Sequence, residues 1–263
     1  MAAATFPGWT CAPFTGGGFT YDVYRKGSGP GVVLIPEMPG LHPGVWELGN
    51  HLVANGFTVA APSLFGTPGA GIGPDAAVVM AKACVAREFA AFATNKKRPV
   101  TDFLRALARD LNDSTPGPGV GVIGQCFTGG FALAAAVDDA VLAPVMSQPS
   151  LPIGLTPARR RDPGLSEGEL SIVARRAEED GLCALGLRFS EDQMAPRERF
   201  QTLKDRLGDA FEVIEIDSGP GNPYGLNRFA HSVITDQVVY DENHPTYRAR
   251  ERVVEFLRER LAG

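Results

Sequence analysis

The chain has 263 residues, of which 44% are hydrophobic and 21% are charged, a composition that supports a sizeable buried core. Its formal net charge of −5 argues against nucleic acid or an anionic membrane surface as a partner. Residues 1–13 lack the basic start and long apolar run of a signal peptide, and no apolar stretch reaches the length of a membrane span, so a cytoplasmic protein is expected. The four cysteines show neither paired nor metal-ligand spacing, so we expect a reducing compartment and neither a metal nor a cofactor.

Strand-like and helix-like segments alternate along the chain. Residues 16–31 are predicted to form an edge hairpin with its turn at 26–30. Apolar runs, typical of strands buried on both faces of a parallel sheet, predict further strands at 31–36, 57–62, 119–123, 141–146, 182–187 and 211–216. Helices are predicted at 43–54, 75–93, 99–111, 131–137, 166–180, 196–207 and 244–261. We therefore expect one α/β domain over residues 1–263, with a doubly wound, mostly parallel sheet and helices on both faces.

Three local patterns refine this outline. Ser166 followed by Glu169 is a capping box, which predicts the start of the helix at 166–180. The helices at 75–93 and 99–111 either form a small cap or simply cover the sheet. The arginines at 159–163 are predicted to form a solvated basic loop.

The segment 119–137 carries the strongest chemical signal. Its sequence, GVGVIGQCFTGGFALAAAV, predicts a short strand, a sharp glycine-rich turn at 124–130 and a helix of small residues, with Cys126 at the apex. A strand-turn-helix with a nucleophile at its apex is the nucleophile elbow of α/β-hydrolases. The turn lifts the Cys126 side chain clear of the backbone and places it at the positive end of the next helix, which favours a thiolate. Thr128 departs from the usual small residue two positions after the nucleophile.

A cysteine nucleophile needs a base, and the base needs a group that orients it. In α/β-hydrolases the chain order is nucleophile, acid, histidine, each on a loop that follows a strand. Asp192 follows the strand at 182–187, with Glu191 as a rival that fits the spacing to Pro196 less well. His231 lies on the loop that follows the strand at 211–216, whereas His42 and His51 precede the elbow and His244 begins the last helix. Cys126, Asp192 and His231 are therefore predicted to form a triad.

These residues resemble the dienelactone hydrolase family over about residues 20–261. The resemblance rests on Cys126 in GQCFTGG, Asp192 in DQMAP, His231 in HS, and Glu37 after the strand at 31–36. It implies an α/β-hydrolase fold and hydrolysis of a small enol-lactone or ester by a cysteine nucleophile, an activity like that of a carboxymethylenebutenolidase. It also implies that Glu37 lies beside the thiol and holds or deprotonates it. The backbone N–H groups of Phe127 and Met38 are the expected oxyanion hole.

The resemblance is weakest where the substrate would bind. The best-known members bind a substrate carboxylate with two arginines, one of them four residues after the histidine, where this chain has Thr235. Arg87 matches the other arginine, and Arg228 is a substitute from the loop of His231. The expected partner is thus a small-molecule lactone or ester. A general carboxylesterase or thioesterase and a non-catalytic ligand-binding protein of the same fold remain as alternatives.

Overall fold

The computed structural model describes residues 6–71, 73 and 75–262; predictions that concern residues 1–5, 72, 74 and 263 lie outside this part of the chain. Within it, one mixed sheet has the strand order β1-β2-β4-β3-β5-β6-β7-β8. Strands β3 to β8 pair in parallel, whereas β1 with β2 and β2 with β4 are antiparallel. The strands are β1 Thr10–Gly16, β2 Phe19–Lys26, β3 Gly31–Leu34, β4 Thr58–Pro62, β5 Val120–Gln125, β6 Val141–Ser147, β7 Ala184–Phe189 and β8 Phe211–Ile216.

Helices cover both faces of the sheet, as predicted. Two separate apolar layers result, because every residue of the central strands β3, β5 and β7 is buried and side chains alternate between the faces. Helices α3, α4, α6 and α7 contribute to one layer, and α1 and α8 to the other. The helices are α1 Pro43–Ala54, α2 Asp75–Val85, α3 Val100–Ser114, α4 Gly129–Ala135, α5 Pro157–Arg161, α6 Glu167–Glu179, α7 Arg197–Leu207 and α8 Pro245–Leu261.

The predicted edge hairpin at 16–31 is wrong. The hairpin is formed by β1 and β2 and turns at Gly17 and Gly18, whose positive φ angles of 57° and 84° suit glycine. The turn at 26–30 leads instead from β2 to β3, which are not neighbours, because β4 pairs between them.

Two other boundaries also need correction. The helix predicted at 75–93 ends at Val85, and the chain then turns so that Phe89 packs into the core. The basic stretch at 159–163 is not all loop, because α5 forms there, with Pro157 in its first turn and a side-chain cap from Thr156. The capping box of Ser166 and Glu169 on α6 is confirmed. None of the helices described is long and apolar enough to cross a membrane.

Candidate active site

The turn after β5 holds Cys126 in a strained backbone conformation. Its φ angle is +49°, in the left-handed region that residues other than glycine rarely adopt. The residue begins a single 3₁₀ turn that leads directly into α4. The glycines beside it are required by close packing. A Cβ atom on Gly124 would lie 2.4 Å from the carbonyl oxygen of Thr128, and one on Gly129 would lie 2.6 Å from Cα of Pro149.

Thr128 stands where the usual elbow has a small residue, and its hydroxyl is hydrogen bonded. Its Oγ1 accepts a hydrogen bond from the Gln125 backbone N–H at 3.1 Å and lies 3.1 Å from the carbonyl oxygen of Pro36, to which it donates. The threonine therefore ties the elbow to the segment that follows β3, a contact that glycine cannot make.

Asp192 and His231 meet at the carboxyl end of the sheet. Asp192 Oδ2 lies 2.7 Å from His231 Nδ1, and Oδ1 accepts from the backbone N–H groups of Met194 at 2.9 Å and Ala195 at 3.3 Å. Asp192 is buried, so these donors replace water around its carboxylate. Glu191, the rival acid, is exposed.

The environment of His231 favours its protonated form. Burial on its own would lower the pKa of His231, but hydrogen bonds and charges of Asp192 and Cys126 outweigh burial and raise the pKa to about 11. The imidazole is thus stabilised in the state that it reaches when it accepts a proton.

Ser150, which the sequence did not single out, contacts both the thiol and the imidazole. Its Oγ is 3.5 Å from Cys126 Sγ and 3.4 Å from His231 Nε2. Its backbone N–H also donates to the carbonyl oxygen of Cys126 at 2.8 Å. The loop after β6 thus holds the elbow and places a hydroxyl within reach of both Cys126 and His231.

Glu37 is hydrogen bonded to side chains on two other loops at the carboxyl edge of the sheet. Its Oε2 accepts from the Ser232 hydroxyl at 2.8 Å and the Gln148 side chain at 3.2 Å, and its Oε1 accepts from the Thr235 hydroxyl. Among the described residues, Cys126 is not a hydrogen-bond partner of Glu37. The carboxylate instead joins the loop of His231 to the loop of Ser150.

A buried histidine completes the surroundings of this carboxylate. His42 Nε2 lies 3.4 Å from Glu37 Oε1, and His42 Nδ1 lies 3.7 Å from Asp236 Oδ1. Burial alone would raise the pKa of Glu37, but His42 and the hydroxyls of Thr235 and Ser232 lower it. The same carboxylate, with Asp236, raises the pKa of His42 against the effect of burial. Both charged forms are therefore favoured by the fold.

The expected oxyanion donors belong to two residues with packed side chains. Phe127 directly follows Cys126, and its ring packs edge-on against Phe65 and Phe89, with centroids 5.9 and 5.5 Å away. Met38 directly follows Glu37 and is half-buried against the same core layer. Both peptides are thus fixed by packing next to the turns that carry Cys126 and Glu37.

A cavity of about 310 Å³ opens beside the thiol. Helix α2, the elbow, and the loops after β6 and β7 form its wall. Of the two helices that were expected to form a cap or cover the sheet, α3 packs on the sheet, whereas α2 contributes Met80 to this wall. The lining residues are Met80, Cys126, Phe127, Ser150, Leu151, Ile153, Gly154, Leu155, Gln193 and Met194.

Neither arginine suggested for the substrate lines this cavity. Arg87 is exposed on the segment after α2, and Arg228 is exposed with its guanidinium over the ring of its neighbour Phe229. The expectation that these two residues bind a substrate carboxylate is therefore not supported. In the described part of the chain, no three His, Cys, Asp or Glu side chains are grouped so that they could hold a metal ion.

The sheet, the elbow and the loops at its carboxyl edge together define an α/β-hydrolase fold. A dienelactone hydrolase-like promiscuous phosphotriesterase from metagenomic libraries shares it with a TM-score of 0.65, at 17% identity over 97% of this chain and 98% of its own. A Klebsiella pneumoniae protein provisionally described as a dienelactone hydrolase gives 0.63, at 16% identity over 95% and 98%. Dienelactone hydrolase from Anabaena variabilis gives 0.60, at 13% identity over 96% and 98%.

The sequence defines the family more narrowly. The model of the dienelactone hydrolase family matches residues 20–261, and the chain belongs to this family. No curated protein matches it significantly. Family membership supports hydrolysis of an ester or lactone in general.

Proposed function

We propose that the protein hydrolyses a small carboxylic ester or lactone through a covalent acyl-enzyme on Cys126, with His231 as general base and Asp192 as the group that orients it. The observation that carries this proposal is the arrangement at the cavity. The thiol lines it, His231 is hydrogen bonded to Asp192 at 2.7 Å, and the thiol and imidazole are close enough for Cys126 to raise the histidine pKa.

The chemistry has two halves. His231 Nε2 takes the thiol proton, and the sulfur attacks the carbonyl carbon, so that a C–S bond forms and the carbonyl oxygen becomes negative. When this intermediate collapses, the C–O bond to the leaving alcohol breaks, and the alcohol takes the proton from His231. Water then gives a proton to His231 and attacks the thioester, and the C–S bond breaks as His231 returns this proton to the sulfur, which releases the acid and restores Cys126.

The negative oxygen needs preorganised donors. The backbone N–H groups of Phe127 and Met38 are proposed for this role, because both lie on packed turns beside the thiol and the segment after β3. Glu37 is proposed to act indirectly, as a positioning residue that fixes the His231 loop through hydrogen bonds with Ser232 and Thr235.

The test is the variant Cys126→Ala with a panel of activated esters and lactones. We expect kcat/KM to fall by at least about 10³-fold while the far-ultraviolet circular dichroism spectrum is unchanged, because removal of a catalytic nucleophile typically costs several powers of ten. Cys183→Ala, at a half-buried cysteine that directly precedes β7, is the matched control and should retain activity.

Thiol labelling is a second test of the proposed nucleophile. Burial raises the pKa of Cys11 and of Cys84, so both are poor thiolates at neutral pH. An alkylating agent should therefore inactivate the enzyme at Cys126 first, as mass spectrometry can show. Activity that survives in a folded Cys126→Ala variant, or inactivation by labelling at another cysteine, would contradict the proposed mechanism.

A further inference from the structure

The wall of the cavity beside Cys126 is almost entirely apolar. Leu151 and Ile153 from the loop after β6, Phe127 from the elbow and Met80 from α2 form most of it. The polar atoms are those of Ser150 and Gln193, besides the thiol itself. A site with few polar groups and a continuous apolar wall recognises an apolar group and uses its polar atoms to place the reacting bond.

No charged side chain of the described residues lines the cavity, and the arginines behind its wall are already engaged. Arg199 donates to the carbonyl oxygens of Pro149, Pro152, Arg159 and Asp162. A carboxylate in the apolar part of this cavity would lose its water, and none of the lining residues described is an arginine or lysine that could pair with it, which disfavours binding.

Arg160 and Arg188 are also occupied. Arg160 makes a two-pronged contact with Glu198, at 2.8 and 3.1 Å. Arg188 pairs with Glu215 and donates to the Ala195 carbonyl oxygen at 2.9 Å. Neither guanidinium is available to an anionic substrate without the loss of a partner.

The apolar surface continues to the mouth of the cavity. Met80, Leu155 and Met194 all line it and are 36%, 72% and 48% exposed. Large exposed apolar side chains at a cavity mouth are costly unless they have a binding role. Here these three side chains extend the apolar wall outward, so that a substrate group longer than the cavity still contacts apolar side chains at the rim.

We infer that the acyl part of the substrate is uncharged and apolar, so that the enzyme prefers neutral acyl esters or lactones over the carboxylate-bearing lactones that its family resemblance suggested. This inference rests on the proposed function. The acyl part is assigned because it becomes bonded to Cys126 Sγ, which itself lines the cavity. The apolar wall of the cavity then selects an uncharged, apolar acyl group.

The experiment compares two esters that differ only at the far end of the acyl chain. 4-Nitrophenyl hexanoate ends in a methyl group, and mono-4-nitrophenyl adipate ends in a carboxylate after a chain of the same length. We expect kcat/KM to be at least about 100-fold higher for the hexanoate, since even partial desolvation of an unpaired charge costs several kcal/mol. An equal or higher value for the adipate overturns the inference and leaves the proposed function intact. If neither ester is hydrolysed in a Cys126-dependent way, the proposed function itself fails.

A second test introduces a positive charge at the rim of the cavity. In Met80→Arg, a guanidinium faces the cavity, so the preference for the neutral ester should fall at least tenfold, through a gain with the adipate and a loss with the hexanoate. Val85→Arg is the matched control, because Val85 lies on the same helix, is 82% exposed and does not line the cavity. An unchanged ratio in a folded Met80→Arg variant, or an equal change in Val85→Arg, would also overturn the inference.

Discussion

Ser150 shows how a single hydroxyl serves two reactive groups. Its Oγ–H can donate to Cys126 Sγ at 3.5 Å, while its lone pairs face His231 Nε2 at 3.4 Å. In the proposed mechanism, the proton moves from sulfur to imidazole, and the hydroxyl can then donate to the thiolate and accept from the imidazolium. Hydrogen bonds to charged groups contribute about 1.5–3 kcal/mol.

We therefore predict that Ser150→Ala slows alkylation of Cys126 at pH 7 by about tenfold and lowers kcat/KM by a similar factor, without loss of stability. The measurement is pseudo-first-order labelling beside steady-state kinetics. Ser171→Ala, on the exposed face of α6, is the control. Labelling at the wild-type rate in Ser150→Ala would reduce Ser150 to a packing residue.

The sequence could predict some members of this site and not others. Cys126 carries a local signature, and Asp192 and His231 follow from the chain order that one fold imposes. Ser150 and Gln148 carry no such signature, because their roles depend on contacts with residues 81 and 111 positions away in the chain. The hydrogen-bond partners of Glu37 were not predicted for the same reason: they lie on loops that only the folded sheet brings together.

At the scale of elements, the loop after β6 is held by one helix. Arg199 on α7 is fully buried, and its guanidinium donates at 2.5–3.0 Å to four carbonyl oxygens of residues 149–162. Burial lowers the pKa of Arg199 to about 10, so the side chain remains charged at neutral pH. The loop that supplies Ser150 and the cavity wall has no regular structure between β6 and α5, and these bonds substitute for it.

We predict that Arg199→Met lowers the free energy of unfolding by about 3 kcal/mol, since several buried carbonyl groups lose a charged donor. It should also lower kcat/KM under conditions where the variant is folded, because Ser150 and the wall lose their support. Denaturant titration and kinetics would measure both effects. Arg197→Met, two residues earlier on the same helix but exposed, should change neither. Full activity in folded Arg199→Met would contradict a positioning role.

The elements that the sequence predicted best are those whose burial is complete. Strands β3, β5 and β7 inside the parallel sheet are buried at every residue and appear as apolar runs in the sequence. Strand β1 was missed because it lies at the sheet edge, contains Pro13 and leaves much of its surface exposed. Its existence depends on pairing with β2, and local residue preferences do not encode that pairing.

Over the whole molecule, Glu37 links parts of the chain that are far apart in sequence. Its carboxylate contacts His42 close by in the chain, Gln148 after β6, and Ser232 and Thr235 on the long loop before α8. A single buried charge thus holds together three of the loops at the carboxyl edge of the sheet. The stability of the protein should therefore depend on the ionisation of this residue and of His42.

The two pKa shifts define a pH window. The folded pKa of Glu37 is lowered from its ordinary value of 4.5, so its contribution to stability is complete above about pH 4.5 and is lost as the pH falls through the folded pKa. The folded pKa of His42 is raised from 6.5, so its contribution is complete below about pH 6.5 and is lost as the pH rises through the folded pKa. The two contributions are complete together only between these values.

We predict that Glu37→Gln lowers the free energy of unfolding by about 2–3 kcal/mol near pH 5.5, with a smaller difference from wild type both at more acid and at more alkaline pH. Burial raises the pKa of the neighbouring Asp236, but this group is present in both proteins and largely cancels in the difference. Urea titrations at half-unit steps from pH 4 to 9 would map the difference. Glu242→Gln, at an exposed carboxylate, is the control. A difference that does not vary with pH would mean that Glu37 stabilises the fold through hydrogen bonds alone, independently of the charge of His42.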